Sequence, residues 1–520
     1  MNRFFTRENL QKAEIPIIFL ISLCFILSIS ISTSIINPCL YCFDSAIFQS
    51  AGRLWTAGAV PYRDFFDHKG PLIFLIDAMA YSTPYPRLAL CLIQAVSLSL
   101  VLSLNHRLLL KYTNPRTVLA TLLIFLCYLS FIFNSGNLTE EYSLPFISLA
   151  EFFELPWLIE ASQKDNNPMR HPPLYALLDG FCIGAISMLI IKNALLIVCL
   201  VLFVGYFMIR AKDFKGIALN ILMGFLGLSA AILPFIIYFH SENSLLGFIE
   251  GTFIYNFSYL SGGSSYSPPS LSSLIKSSIF LLPIAMLFIS AVQCLKKKPV
   301  LSVFAFFTAA SSALLYMRGF SFKHYFIPSA LLIPLSVILL CKGESRDFFA
   351  LLKRPWKRAS FPYLASCLVS VLIAATAALY LPKTLSVFSS ENIERARSLS
   401  QALNEIIRTV PEDEKNGIAA YNLQGAELAF YIVNDIVPPQ NHPYLTEFHA
   451  EYDPRIIQDY LDFLIQESPK WLVMSQSSEN QELLEYVNSH YELKASVRAD
   501  SEISMMLNSD ALLLYEGSTE

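Results

Sequence analysis

Apolar runs about as long as a bilayer is thick restrict this chain more than any other feature. They recur at 15–36, 88–110, 118–133, 142–159, 174–190, 194–209, 217–239, 271–295, 300–317, 325–341 and 361–381, eleven in all. A spanning helix needs about 20 mostly apolar residues, and several of these runs lie near the lower limit. Within hydrocarbon each backbone N–H and C=O must find its partner inside the protein, so such runs become helices. Composition agrees, with 54% of the 520 residues hydrophobic and 15% charged, where a soluble domain carries about a quarter charged. The expected fold is an α-helical polytopic membrane protein with about 11 transmembrane helices. The first run is longer than a signal-peptide core and no small-residue cleavage motif follows it, so it reads as a retained helix. The net charge of −4 offers no basic surface, and no nucleic-acid partner is expected.

The loops between runs orient the chain. Arg107, Lys111 and Arg116 share one loop, and Lys164 and Arg170 the next on that side. Arg210, Lys212 and Lys215 follow, then 296–298 and a dense basic stretch at 342–358, with Arg3, Arg7 and Lys12 at the N-terminus. If the runs alternate, all six segments fall on one face, which the positive-inside rule makes cytoplasmic. The N-terminus is then cytoplasmic, and 37–87, 134–141, 241–270, 318–324 and everything after 382 are extracytoplasmic. Two domains are expected: a transmembrane domain at 1–382 and an extracytoplasmic domain at 383–520. In the latter, 392–410, 453–466 and 480–487 have helical patterns, while 417–423 and 470–475 are strand-like, which argues for a small α/β layer. None of the ten cysteines lies beyond Cys367, so this domain has no disulfide. Cys39 and Cys42 form an isolated C-x-x-C that reads as two small apolar residues.

The ionisable groups gather in the outer segments. Apolar residues at 43, 47, 48, 51, 54 and 55 suit an amphipathic helix lying in the membrane interface. Gly58 and Pro61 end it, and Pro71 starts a second short apolar helix. Between them, Tyr62-Arg63-Asp64-Phe65-Phe66-Asp67-His68-Lys69-Gly70-Pro71 packs five ionisable groups into ten positions. Two later outer turns are also polar: one holds Glu140 and Glu141, the other Arg318, Lys323 and His324. Carboxylates can accept the proton of an attacking hydroxyl, and Lys, Arg or His can hold a departing phosphate. Each group has a plainer role as well. The 64–69 stretch reads equally as a solvated loop in which Asp64 and Asp67 pair with Arg63 or Lys69. Glu140 and Glu141 suit a helix start capped by Thr139, and Arg318, Lys323 and His324 suit headgroup anchors. Glu151 and Glu154 lie within a span, where charge is costly and often functional, and Lys192 lies between two runs.

The order of these elements resembles the GT-C superfamily of membrane glycosyltransferases, in particular its bacterial branch with the aminoarabinose-lipid A transferases and protein O-mannosyltransferases. The residues carrying the resemblance are Asp44-Ser45-Ala46-Ile47-Phe48, then Gly58-Ala59-Val60-Pro61-Tyr62-Arg63-Asp64, then Asp67-His68-Lys69-Gly70-Pro71. Asn137-Leu138-Thr139-Glu140-Glu141-Tyr142 and 318–325 also look like members of that branch. Several relatives carry a second acid directly after the loop-opening aspartate, where this chain has Ser45.

The resemblance implies transfer of a sugar, with inversion, from a polyprenyl-phosphate donor on the outer face of a bacterial cytoplasmic membrane. The acceptor would be an envelope glycan, lipid or protein. Asp44 is the expected base, with Asp64, Asp67, Glu140 and Glu141 as further catalytic candidates. Tyr62, Arg63, His68, Lys69, Lys192, Arg318, Lys323 and His324 are the substrate-binding candidates, and apolar spans would take the lipid tail. No cofactor is expected; some superfamily members use a divalent metal, and nothing in these residues indicates one. Two alternatives remain open: a transporter or flippase, which would place ionisable groups at the midplane, and a polysaccharide polymerase or ligase.

Overall fold

In a computed structural model, residues 7–36, 43–133, 135–163, 169–256, 278–295, 298–317, 322–344, 361–385, 389–423, 427–439, 447, 450, 455–476, 480–498 and 511–517 are described. Cys39, Cys42 and Arg318 lie outside them. The chain divides into two compact units. The first comprises Met1–Ser30, Cys91–Phe235 and Pro268–Leu385; the second comprises Ile31–Leu90, Ile236–Ser267 and Ser386–Glu520.

Helices α1 (Arg7–Ile29), α2 (Phe43–Thr56), α3 (Pro71–Tyr81), α4 (Pro86–Tyr112), α5 (Pro115–Ile132) and α6 (Thr139–Ala161) come first. Next are α7 (Pro173–Ser187), α8 (Leu195–Arg210), α9 (Phe214–Ser241) and α10 (Leu245–Ile249), which continues as a π-helix over Glu250–Ile254. Then come α11 (Leu282–Cys294), α12 (Pro299–Met317), α13 (Leu332–Glu344) and α14 (Phe361–Leu385). Each expected apolar run falls largely on one of these helices, the 271–295 run within its described part, while the first run, 15–36, overshoots α1, which ends at Ile29. Among the described residues, six helical stretches are long and apolar enough to cross a membrane.

Burial sorts the helices of the first unit. The stretch Lys323–Cys341 is almost wholly covered, whereas Phe214–Ser241 is mostly open, with Ile221, Leu222, Phe225 and Leu233 exposed. A helix apolar all round is stable only inside protein or hydrocarbon, so the first is a core helix and the second a lipid-facing one. The 325–341 run starts as a 3₁₀ helix, Lys323–Leu331, with Pro328 inside it. Pro328 can donate no backbone bond there.

The second unit contains α2 and α3 and an α/β layer. Helices α15 (Ser390–Glu405), α16 (Glu427–Val433), α17 (Arg455–Glu467) and α18 (Gln481–His490) accompany strands β1 (Ala419–Tyr421), β2 (Trp471–Ser475), β3 (Tyr491–Arg498) and β4 (Ala511–Gly517). The sheet order is β1-β2-β4-β3, with β1 parallel to β2 and the other pairs antiparallel. Alternate residues of β1 and β2 serve two cores. Ala420 and Val473 pack with Leu403, Ile406 and Phe430 on one face, while Tyr421, Leu472 and Met474 pack with Tyr460, Leu464 and Leu483 on the other. Period-two alternation with apolar residues on both sides is the pattern of a sheet covered on both faces.

Candidate functional site

The charged elbow between α2 and α3 is a built structure. Helix α2 buries Ala46, Ile47, Phe48, Ala51 and Leu54, the stripe expected of its sequence, and stops before Gly58, whose φ of 98° is in the left-handed region. Tyr62 also has a positive φ, 65°, which costs a bulky residue about 1–3 kcal/mol unless its surroundings hold it there. They do. Its ring lies among Phe74, Phe239 and Phe248 at centroid distances of 6.1, 5.3 and 5.8 Å. Its hydroxyl donates to the Lys69 carbonyl at 2.7 Å and its N–H to the Phe65 carbonyl at 2.8 Å. The loop is thereby drawn into a closed turn with Asp67, His68 and Lys69 on its far limb.

The two elbow aspartates have different surroundings. Asp64 receives both arms of Arg63 at 2.8 Å and the Val60 N–H at 2.7 Å, and the guanidinium bonds hold its carboxyl below the ordinary range. Arg63 reaches on to the Glu242 carbonyl at 2.9 Å. This pair braces the elbow. Asp67 is buried and accepts the Lys69 N–H at 2.7 Å. Burial pushes its carboxyl up to about 6, opposed by the Lys69 charge and reinforced by the negative charge of Asp44. Asp44 sits in the first turn of α2, so the structure brings Asp44, Asp67 and Lys69 into one electrostatic group. The Lys69 ammonium lies 2.8 Å from His68 Nε2. An ammonium can only donate, so this contact assigns the acceptor role to Nε2 and the proton to Nδ1.

The segment Leu245–Ile254 buttresses the elbow. A Cβ at Gly247 would lie 2.6 Å from the Tyr62 carbonyl oxygen, and one at Gly251 2.8 Å from that of Asp67. Two glycines four residues apart make a flat helical face on which the elbow backbone rests. Thr252 donates to the Tyr62 hydroxyl at 3.2 Å, and Asn256 Nδ2 to the His68 carbonyl at 2.7 Å.

The first unit holds a second group, at the start of α6. Glu140 pairs with Lys192 at 3.2 Å and accepts from Thr139 at 2.9 Å; Lys192 also lies over the Tyr325 ring. Glu141 accepts from Gln94 at 2.8 and 2.9 Å and from the Asn137 N–H at 2.9 Å. The last bond ties the first turn of α6 to Asn137, the residue before its N-cap Leu138, so Glu141 secures the helix start. Gly136 (φ 76°) leaves room there for Ser30, which bonds Gln94 at 3.1 Å. His324 is buried with its ring 4.7 Å from that of Tyr325, and Lys323 opens the 3₁₀ helix half-buried. Among the described residues no three His, Cys, Asp or Glu side chains converge as if to hold a metal.

No protein-family model and no curated protein matches the sequence. Solved structures match over almost its whole length. ArnT from Cupriavidus metallidurans bound to undecaprenyl phosphate is 13% identical, with a TM-score of 0.57, covering 98% of this chain and 99% of that one. The Archaeoglobus fulgidus oligosaccharyltransferase in its apo form is 12% identical, with a TM-score of 0.52, covering 98% of this chain and 75% of that one. The fold is the GT-C type.

Within this fold the first unit also holds a buried acid network. Glu154 receives His171 Nε2 at 2.9 Å on both oxygens, and His171 Nδ1 lies 2.6 Å from Asn220 Oδ1. Asn220 Nδ2 donates to the Gly216 carbonyl at 2.8 Å, which fixes the amide with its oxygen toward the histidine. Asp179 also hydrogen-bonds Glu154. Glu154, His171 and Asp179 are nearly inaccessible, and their partners are supplied by α6, α7, α9 and the 169–172 link.

Several supporting residues escaped the sequence reading. Thr252, Asn256 and Gln94 are uncharged and in no motif, and their roles depend on long-range packing. Only Gly247-Phe248-Ile249-Glu250-Gly251 carried a signal, a small-residue pair one turn apart.

Proposed function

We propose that the chain transfers a sugar from a polyprenyl-phosphate donor to an acceptor on the outer face of the bacterial cytoplasmic membrane. The observation that carries this reading is the charge of Asp44, in the first turn of α2, acting on buried Asp67 beside Lys69 in the elbow of a GT-C-type fold. Asp44 takes the proton of the acceptor hydroxyl as its oxygen bonds to the anomeric carbon. The bond from that carbon to the phosphate oxygen breaks on the opposite side, giving inversion. The phosphate leaves with the electron pair, so a cation and not a proton donor stabilises it. Lys69 fills that role; undecaprenyl phosphate, bound in the ArnT structure, is the model carrier. Asp67 holds the Lys69 backbone and sets the local charge, while Asp64 with Arg63 keeps the elbow closed. Tyr62 and His68 form the wall beside the sugar. Glu140 holds Lys192, and Glu141 fixes the start of α6.

The N-terminus faces the cytoplasm, and 383–520, extracytoplasmic, orients an envelope glycan, lipid or protein acceptor without catalysing. The Glu154–His171–Asp179 network is satisfied internally, which speaks against its serving as a transporter pathway. The test supplies purified protein in lipid nanodiscs with labelled polyprenyl-phosphate sugars and a panel of envelope acceptors. Transfer with release of polyprenyl phosphate is expected. Failure to bind polyprenyl phosphate and to transfer from any donor would refute the assignment.

A further inference from the structure

Arg53 closes the C-terminal turn of α2 by gripping the α/β layer of the same unit. One guanidinium nitrogen donates to the Tyr431 and Ile436 carbonyls at 2.9 and 3.0 Å, and a second pairs with Asp435. The gripped turn is itself fixed to the layer. The Tyr431 hydroxyl accepts the Ala420 N–H of β1 at 2.8 Å, and Asn434 donates to the Leu403 carbonyl of α15 at 3.2 Å. Beside Arg53, Gly52 brings α2 against α3, where an added Cβ would lie 2.5 Å from that of Asp77. The C-terminal end of α2 therefore has a pivot and a clamp next to each other, and the helix carries Asp44 at its other end.

We infer that Arg53 is a positioning residue through which the α/β layer sets the placement of Asp44. Nine residues of α-helix separate them, about 13 Å. A tilt of about 5° at the clamped end moves the carboxylate by about 1 Å, a misplacement that costs ~10²-fold in rate. The guanidinium side chain is 17% accessible while Asp435 is 91% accessible. The carbonyl bonds, being the desolvated ones, hold most of the clamp, and the exposed carboxylate adds little.

The inference rests on the transferase reading for its rate arm but not for its structural arm. Hydrogen exchange and steady-state kinetics are measured on full-length wild type, Arg53→Ala, Arg53→Lys and Asp435→Ala. In Arg53→Ala, faster exchange in 427–439 and 43–56 is expected, with kcat down ~10–100-fold and donor KM within about 2-fold. Arg53→Lys should fall between it and wild type, and Asp435→Ala should stay within about 3-fold of wild-type kcat. Unchanged exchange in Arg53→Ala would overturn the clamp, whether or not sugar transfer is detected. Faster exchange with wild-type kcat would overturn the positioning role and leave only a structural tie. If Arg53→Ala does not fold, Arg53→Lys gives the same two readings.

Discussion

Replacing Asp67 by Asn should stabilise the protein and weaken its chemistry, with a pH dependence fixed by burial. Asn keeps an oxygen for the Lys69 N–H, which Asp67 accepts at 2.7 Å, and removes the charge. Burial, with the Asp44 charge, raises the Asp67 carboxyl from 3.8 to about 6. The native state therefore holds this proton more tightly than the unfolded chain does. Its contribution to stability is fully present below about pH 4 and is lost as pH rises through about 6. A rise of about two units corresponds to ~3 kcal/mol. Asp67→Asn should match wild type near pH 4 and exceed it by ~3 kcal/mol at pH 8, most of the difference appearing between pH 4 and 6. Denaturant titrations of both proteins in mixed micelles, from pH 4 to 8, measure this directly. Parallel pH profiles would refute the reasoning, since they would mean that Asp67 carries no raised pKa. Wild-type turnover should fall as pH drops below about 6, as Asp67 takes up its proton.

Removing one member of the buried Glu154–His171 pair, by Glu154→Ala or His171→Ala, should cost ~3–5 kcal/mol, because the other is left without its partner; thermal midpoints in detergent check this, and a loss under 1 kcal/mol would show that the pair is not desolvated. Gly251→Ala places a Cβ 2.8 Å from the Asp67 carbonyl oxygen and should cost ~1–3 kcal/mol together with activity, read by the same midpoints and by transfer rates. Reporter fusions after Lys298 and at Glu520 should report opposite sides of the membrane; the same side would contradict the orientation drawn from loop charge.

Local pattern was the readable part of the fold. The apolar runs marked where helices form, and the 43–55 stripe and Pro71 marked α2 and α3, because both signals are periodic and short-range. Three helices and two strands of the α/β layer were legible for the same reason. Strands β3 and β4 were not. In β3, Glu492, Lys494 and Arg498 break the apolar pattern, because much of this edge strand is exposed. At the elbow, charge density marked ten residues that fold into one turn, but charge alone could not separate Asp64, neutralised by Arg63, from Asp67, buried beside Lys69. That distinction depends on which side chain the 245–256 segment covers. Arg53 read as one polar position of an amphipathic helix, and its partners lie 378 to 383 residues further along the chain.

The most direct test of the transferase reading is single-turnover transfer from a defined polyprenyl-phosphate sugar by purified wild type and Asp44→Asn. The amide preserves the shape of the side chain and removes its capacity to take a proton. Turnover should fall ~10²–10⁴-fold, with polyprenyl-phosphate binding and hydrogen exchange across 43–81 unchanged. Wild-type transfer rates in Asp44→Asn would contradict the assignment of the base.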